Sequence, residues 1–255
     1  MKIKMRAHVL FSGGIALAVL VVGLASAPHA QSCGTPPLRT LEPYRIEAFG
    51  VFCRLMMQGD FTPKVAIASV MLGSPSTGVG AVSGARGEIT IFDGKLIVSY
   101  GKTDAPPMPD GETAALLATG KVKEWRSIAV NSDVAPTAVE RFLGQSAKAQ
   151  GLDPDKSFPF QLRGTVVPFA FHINVAPIDG PHGMGLPMAT MAERKGDEIV
   201  GAVAGLIVSP DLVGIVTHGG ERTHAHWVSL DGQSTAHLDL WGIKAGTTLM
   251  LPKPE

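Results

Sequence analysis

From Gly78 to the C-terminus the chain is written in short β-type runs separated by glycine-rich breaks, a texture that suits sheets joined by tight turns and excludes a helical bundle. The 30 glycines and 19 prolines among 255 residues carry that punctuation along the whole sequence. The runs read as strands at 80–83, 88–92, 95–100, 125–130, 161–175, 198–208, 212–216, 222–230, 235–241 and 247–251. Asp93-Gly94 between two of them is a hairpin signal, because both central positions of a tight turn need a left-handed backbone. Helices are expected at 44–57, stopped by Gly59, at 112–118, and from Pro136, where Val139, Phe142, Leu143 and Ala147 form an apolar stripe that Gly151 ends. The expected class is α+β and β-rich with a few short helices. It divides into an N-terminal subdomain of helix and sheet over 28–155 and a C-terminal β-rich subdomain over 156–255.

Lys2, Lys4 and Arg6 precede an uncharged apolar run at 9–24 and the small triplet Ala25-Ser26-Ala27. The run is shorter than the roughly 20 residues of a membrane span, so it reads as a signal peptide over 1–27, with cleavage no later than residue 30. An uncleaved anchor is the alternative. Removal of the leader leaves 19 basic against 22 acidic residues, a net charge of −3, which speaks against nucleic acid as a partner. The expected location is periplasmic or secreted, with no membrane attachment after cleavage. In such a compartment Cys33 and Cys53 could close a loop of about 20 residues, worth up to roughly 3 kcal/mol. Ala30, Gln31 and Ser32 do not form a lipobox before Cys33.

Five of the eight histidines lie before Arg222 with no common spacing, but His224, His226 and His237 fall close together. In a strand His224 and His226 point to the same face with Cα atoms about 6.5 Å apart, near enough for both rings to reach one metal. A turn at Asp231-Gly232-Gln233-Ser234 that pairs Leu230 with Thr235 sets His237 opposite Val228 and Asp239 opposite His226, all on that face. Three neutral imidazoles with a fourth position open is the pattern of a catalytic zinc site. Asp239 is then either an acceptor that orients a ligating ring or a solvated carboxylate. His182 and His218, each beside glycine, read as loop residues. No other motif competes: the glycines of 78–87 lack the lysine ending of a phosphate loop, and no G-x-S-x-G is present.

The run Gly78-Val79-Gly80-Ala81-Val82, then Gly87-Glu88-Ile89 and Asp93-Gly94, resembles the N-terminal motif of the α-acetolactate decarboxylases. Gly205, Pro210, Gly219-Gly220, His224-Ala225-His226 and His237 resemble the C-terminal block of the same family, in the same order. The resemblance covers roughly 49–100 and 161–252. It implies two related mixed-sheet subdomains, a homodimer, Zn2+ held by His224, His226 and His237, and Glu88 as the carboxylate facing the substrate. It further implies conversion of the small molecule 2-acetolactate to acetoin and carbon dioxide, with a similar 2-hydroxy-3-keto acid as the alternative substrate. The family's arginine for the substrate carboxylate is expected near His172, and Arg163 is the nearest cation in sequence, with a surface strand residue as its alternative. Glu198 and Glu255 are further acids that could contribute.

The chemistry asks for the same parts. Loss of carbon dioxide from a β-keto acid sends electrons into the neighbouring ketone, a Lewis acid stabilises the resulting enediolate, and an acid such as Glu88 delivers the proton. Two other readings remain open at this point. One is an exported protein of the same fold that binds a hydroxy or keto acid without turnover. The other is a cupin-like metal enzyme, against which stand Ser229 and Leu230 where that family has a glutamate.

Overall fold

The computed structural model describes residues 33, 44, 46–101, 108–176 and 191–254; the expected leader, His182 and Glu255 lie outside them. Among the described residues two sheets make up the body, and their strand pairings are antiparallel rather than mixed as the resemblance implied. The first contains β1 (Glu47–Phe49), β2 (Val65–Ala66), β3 (Thr77–Val82), β4 (Glu88–Phe92), β5 (Lys95–Ser99) and β6 (Thr113–Gly120), in the order β1-β6-β3-β4-β5 with β2 also on β6. The second contains β7 (Trp125–Ala129), β8 (Phe158–Asn174), β9 (Met191–Gly196), β10 (Ile199–Ile207), β11 (Thr223–Val228), β12 (Thr235–Ile243) and β13 (Thr248–Pro252). Three short helices, α1 (Phe52–Gln58), α2 (Ile67–Met71) and α3 (Val139–Ala149), complete it, so the β-rich α+β expectation holds. No helix of the described residues is long and apolar enough to cross a membrane.

The 17-residue β8 organises the second sheet. Its first half pairs with β10 from Phe158 to Val166, and its second half pairs with β12 from Val166 to His172. Because β10 also pairs with β11 and β11 with β12, the four strands close a circuit around a core that includes Phe158, Phe160, Leu162, Phe171 and Trp227. The sheets divide between Gly120 and Trp125: β7 and α3, assigned from sequence to the N-terminal subdomain, pack with the second sheet.

Three segments depart from the sequence reading. The helix expected at 44–57 is β1 followed by α1, because Gly50 adopts φ +83° and its Cα lies so close to β6 that a Cβ would stand 2.1 Å from the Ala115 carbonyl oxygen. The helix expected at 112–118 is the strand β6, which lies between β1 and β3 with every residue from Ala114 to Gly120 buried. A short apolar run buried on both faces has no period to separate it from a buried helix, and tertiary pairing overrides the helix preference of its alanines. The strand expected at 212–216 is instead a 3-10 turn at Pro210–Leu212 and further turns, with Gly214 at φ +79°.

The helix expected from Pro136 is α3, preceded by a 3-10 turn at Pro136–Ala138 and followed by Gly151 at φ +85°. Val139, Leu143 and Ala147, one turn apart, are its buried face. Leu143→Ala should therefore cost about 2–5 kcal/mol. Urea unfolding should show it as a lower midpoint with an unchanged slope.

Candidate metal centre

Four strands each contribute two side chains spaced i, i+2, which an extended backbone places on one face: Glu88 and Thr90 on β4, His172 and Asn174 on β8, His224 and His226 on β11, and His237 and Asp239 on β12. The register sets His226 opposite His237 and His237 opposite His172, a row of three rings across adjacent strands. The hairpin differs from its expected form. Thr235 pairs with Val228 rather than Leu230, and a six-residue connection, 229–234, is held by Asp231 accepting from the Ser229 hydroxyl (2.6 Å) and the Gln233 N–H (3.0 Å). The shift is two residues, one full period, so all the side chains stay on the expected face.

His224, His226 and His237 are buried, with one ring nitrogen from each within 4.8 Å of the others. Hydrogen bonding decides which nitrogen that is. The His224 Nδ1–H donates to the Val216 carbonyl oxygen (2.7 Å), and the His237 Nδ1–H donates to Asp239 Oδ1 (3.2 Å). His226 Nδ1 lies 3.0 Å from the Thr90 hydroxyl. The Thr235 hydroxyl donates to the Trp227 carbonyl (2.8 Å) and so accepts from Thr90, which leaves the Thr90 oxygen to accept from His226 Nδ1–H. All three rings thus present a bare Nε2, and that of His226 is buried with no partner of its own. An orphaned buried acceptor beside two others of the same kind fits a divalent metal ion. Burial pushes His224 and His226 well below the ordinary histidine range and His237 down to about 4, the last against the hydrogen bond to Asp239, so the rings are held neutral, the ligating form.

Glu88 is 2% exposed and faces these rings, with Oε2 3.9 Å from His226 Nε2. Its Oε1 accepts from the Asn174 N–H (3.0 Å) and side-chain amide (2.6 Å) and lies 4.0 Å from His172 Nε2. Burial pushes its carboxyl up to about 7, against the lowering by His172 and Asn174. Burial also opposes charge on His172, but the Nδ1–H bond to Asp239 Oδ1 (2.8 Å) and the charges of Glu88, Asp239 and Glu193 outweigh it and raise this ring. Burial would raise Asp239, yet its hydrogen bonds from His172 and His237 hold it below the usual carboxylate range.

A cavity of about 220 Å3 opens over Glu88, His172, His218, His224, His237 and Asp239. His218, read from sequence as a loop residue, is in a loop, but its ring stands 4.3 Å from Phe52 and 5.6 Å from His237 on the cavity wall. Arg163 is not brought here. It lies nine residues before His172 on β8, up to roughly 30 Å away along an extended strand, where it pairs with Asp93 and stacks 4.7 Å over Phe92. Glu198 pairs with Lys244 on the surface. Thr90 and Asn174 were missed from sequence, although each lies two residues from a residue singled out there, on the face such spacing shares.

No protein-family model matches the sequence, and no curated protein matches it. Solved structures do. At 14% identity, covering 82% of this chain and 86% of the other, it matches a protein of unknown function similar to alpha-acetolactate decarboxylase from Staphylococcus aureus with TM-score 0.64. With the same identity and coverage it matches alpha-acetolactate decarboxylase from Bacillus subtilis strain 168 (TM-score 0.63) and acetolactate decarboxylase from Bacillus subtilis subspecies spizizenii (0.64). The fold is that of the acetolactate decarboxylases.

Removing the acceptor that orients His226 should loosen the ligand set without dismantling it. If the three histidines hold a divalent metal ion, Thr90→Val is expected to weaken its binding about 10–100-fold and His226→Ala to abolish stoichiometric binding. Competition against a chromophoric chelator measures both.

Proposed function

We propose that the chain is a metal-dependent decarboxylase, a carbon–carbon lyase that converts 2-acetolactate to acetoin and carbon dioxide, or a similar 2-hydroxy-3-keto acid to its own hydroxyketone, with Zn2+ as its ion. One observation carries this reading: three neutral imidazoles converge within 4.8 Å of one another beside a buried carboxyl raised to about 7, and His224, His237 and Glu88 of that group line a cavity. The shared fold supports it. An ion held by His224, His226 and His237 would supply the positive charge toward which the electrons left by departing carbon dioxide can flow.

The chain's own residues do the rest. Asn174 fixes Glu88 Oε1 with two hydrogen bonds, leaving Oε2 turned to the histidines to hold the proton that replaces carbon dioxide on carbon. His172, oriented by Asp239, presents Nε2 to the cavity as a charge-assisted donor for the substrate carboxylate, the role that the sequence pointed to Arg163 for. Phe52, Leu55 and Phe61 line the cavity and limit the water that competes for those donors. Export through the 1–27 leader belongs to the same reading. Binding of such an acid without turnover is the second reading, and the placement of Arg163 outside the cavity favours it.

Metal content and acetoin formation from racemic acetolactate, measured on one chelator-treated and zinc-restored preparation, test the proposal. Zinc near one per chain with activity that returns on adding metal is expected, and bound zinc with no acetoin would leave only the second reading. Glu88→Gln should keep its zinc and lose about 100-fold or more in rate, whereas His224→Ala should lose both.

A further inference from the structure

The cavity has two chemically different ends. His224, His237, Glu88, His172 and Asn174 form one. At the other, Phe52, Leu55, Phe61 and Leu116 belong to one buried apolar cluster, and Met56 and Met191 continue the wall where the cavity opens. Among the described residues lining it there is no lysine or arginine. Phe52 marks the border, its ring 4.3 Å from that of His218 and 5.4 Å from that of His224.

The apolar wall is built into the fold rather than left over from it. α1, which supplies Phe52, Leu55 and Met56, is tied down by backbone bonds from Phe52 N–H to the Ile215 carbonyl (2.8 Å) and from Cys53 N–H to the Gly214 carbonyl (2.9 Å), and by the Cys33–Cys53 disulfide. Gly80 and Ala81 on β3 complete the lining, and Gly80 lets β3 lie close against β6, where a Cβ would stand 2.1 Å from the Leu116 carbonyl oxygen.

An apolar cavity of about 150 Å3 accommodates benzene, and this one measures about 220 Å3 including its polar end. The two methyl groups of 2-acetolactate would cover only part of such a wall. We infer that the preferred ligand is a 2-hydroxy acid in which a branched alkyl or aryl group replaces one of those methyls, its oxygens at the histidine end and its apolar group against Phe52, Leu55, Phe61 and Leu116. This rests on the reading of the site as one that binds 2-hydroxy acids at a metal, and it adds the size and apolarity of the substituent.

Binding, rather than turnover, tests it. The purified full-length chain loaded with Zn2+ is titrated calorimetrically with two unreactive acids, 2-hydroxy-2-methylpropanoate and 2-hydroxy-2-phenylpropanoate. Each extra buried carbon is worth about threefold to fourfold in affinity, so the phenyl acid should bind at least about tenfold more tightly. Met56→Trp, a change on a partly buried wall residue, should weaken the phenyl acid about tenfold, move the methyl acid by less than about twofold, and leave zinc content unchanged. Equal binding of the two acids, or tighter binding of the smaller, overturns the inference while leaving the metal-site reading intact. Failure of both to bind the zinc-loaded protein overturns that reading and this inference with it. A chain that prefers the phenyl acid yet makes no acetoin has the ligand class assigned here and lacks only the reaction.

Discussion

The centre depends on the burial of polar side chains at a seam between two sheets, where every nitrogen and oxygen without a partner costs stability. Thr90 on β4 and Thr235 on β12 meet across that seam, and the Ser99 hydroxyl on β5 accepts from the Thr235 N–H at 2.7 Å. The chain of donors runs in one direction, from His226 through Thr90 and Thr235 to the Trp227 carbonyl. That direction assigns the proton on His226 and leaves its Nε2 bare. The interaction that joins the sheets is thus the one that leaves the His226 Nε2 without a proton.

Electrostatics then separates histidines that touch. His172 and His237 stack with ring centroids 4.7 Å apart, yet the first is raised and the second lowered. Burial acts on both in the same direction; His172 also meets the charges of Glu88 and Glu193 and the shorter bond to Asp239. One side of the cluster consequently holds neutral rings and the other a ring biased toward its charged form. Glu88 sits between them and is held near neutrality by burial.

At 14% identity the likeness to the decarboxylase structures concerns how the chain is folded, and function follows from the site it carries. α1 illustrates how the fold becomes a site: Gly50 breaks the chain out of β1, the 214–215 carbonyls cap the helix start, and Phe52 is delivered against three imidazoles. The same turn that replaces the expected strand at 212–216 also turns the Val216 carbonyl to His224. An irregular segment therefore does two jobs that a strand, with its carbonyls committed to a neighbouring ladder, could not.

Sequence alone determined what depends on local period and turn chemistry. The Asp93-Gly94 hairpin, α3 with its Pro136 entry and Gly151 exit, and the shared face of His224, His226 and His237 were legible because each follows from spacing within a few residues. The histidine face survived an error in the hairpin loop because a two-residue shift is one full strand period. Tertiary structure decided everything that required knowing which strands are neighbours. It turned the alanine-rich 112–118 segment into an interior strand, placed His172 and not Arg163 beside the three clustered histidines, and brought Glu88 from the first sheet to the second. Those outcomes rest on contacts between residues about 30 to 150 positions apart, among them Asn174 with Glu88 and Thr90 with His226, and no local spacing in the chain encodes them.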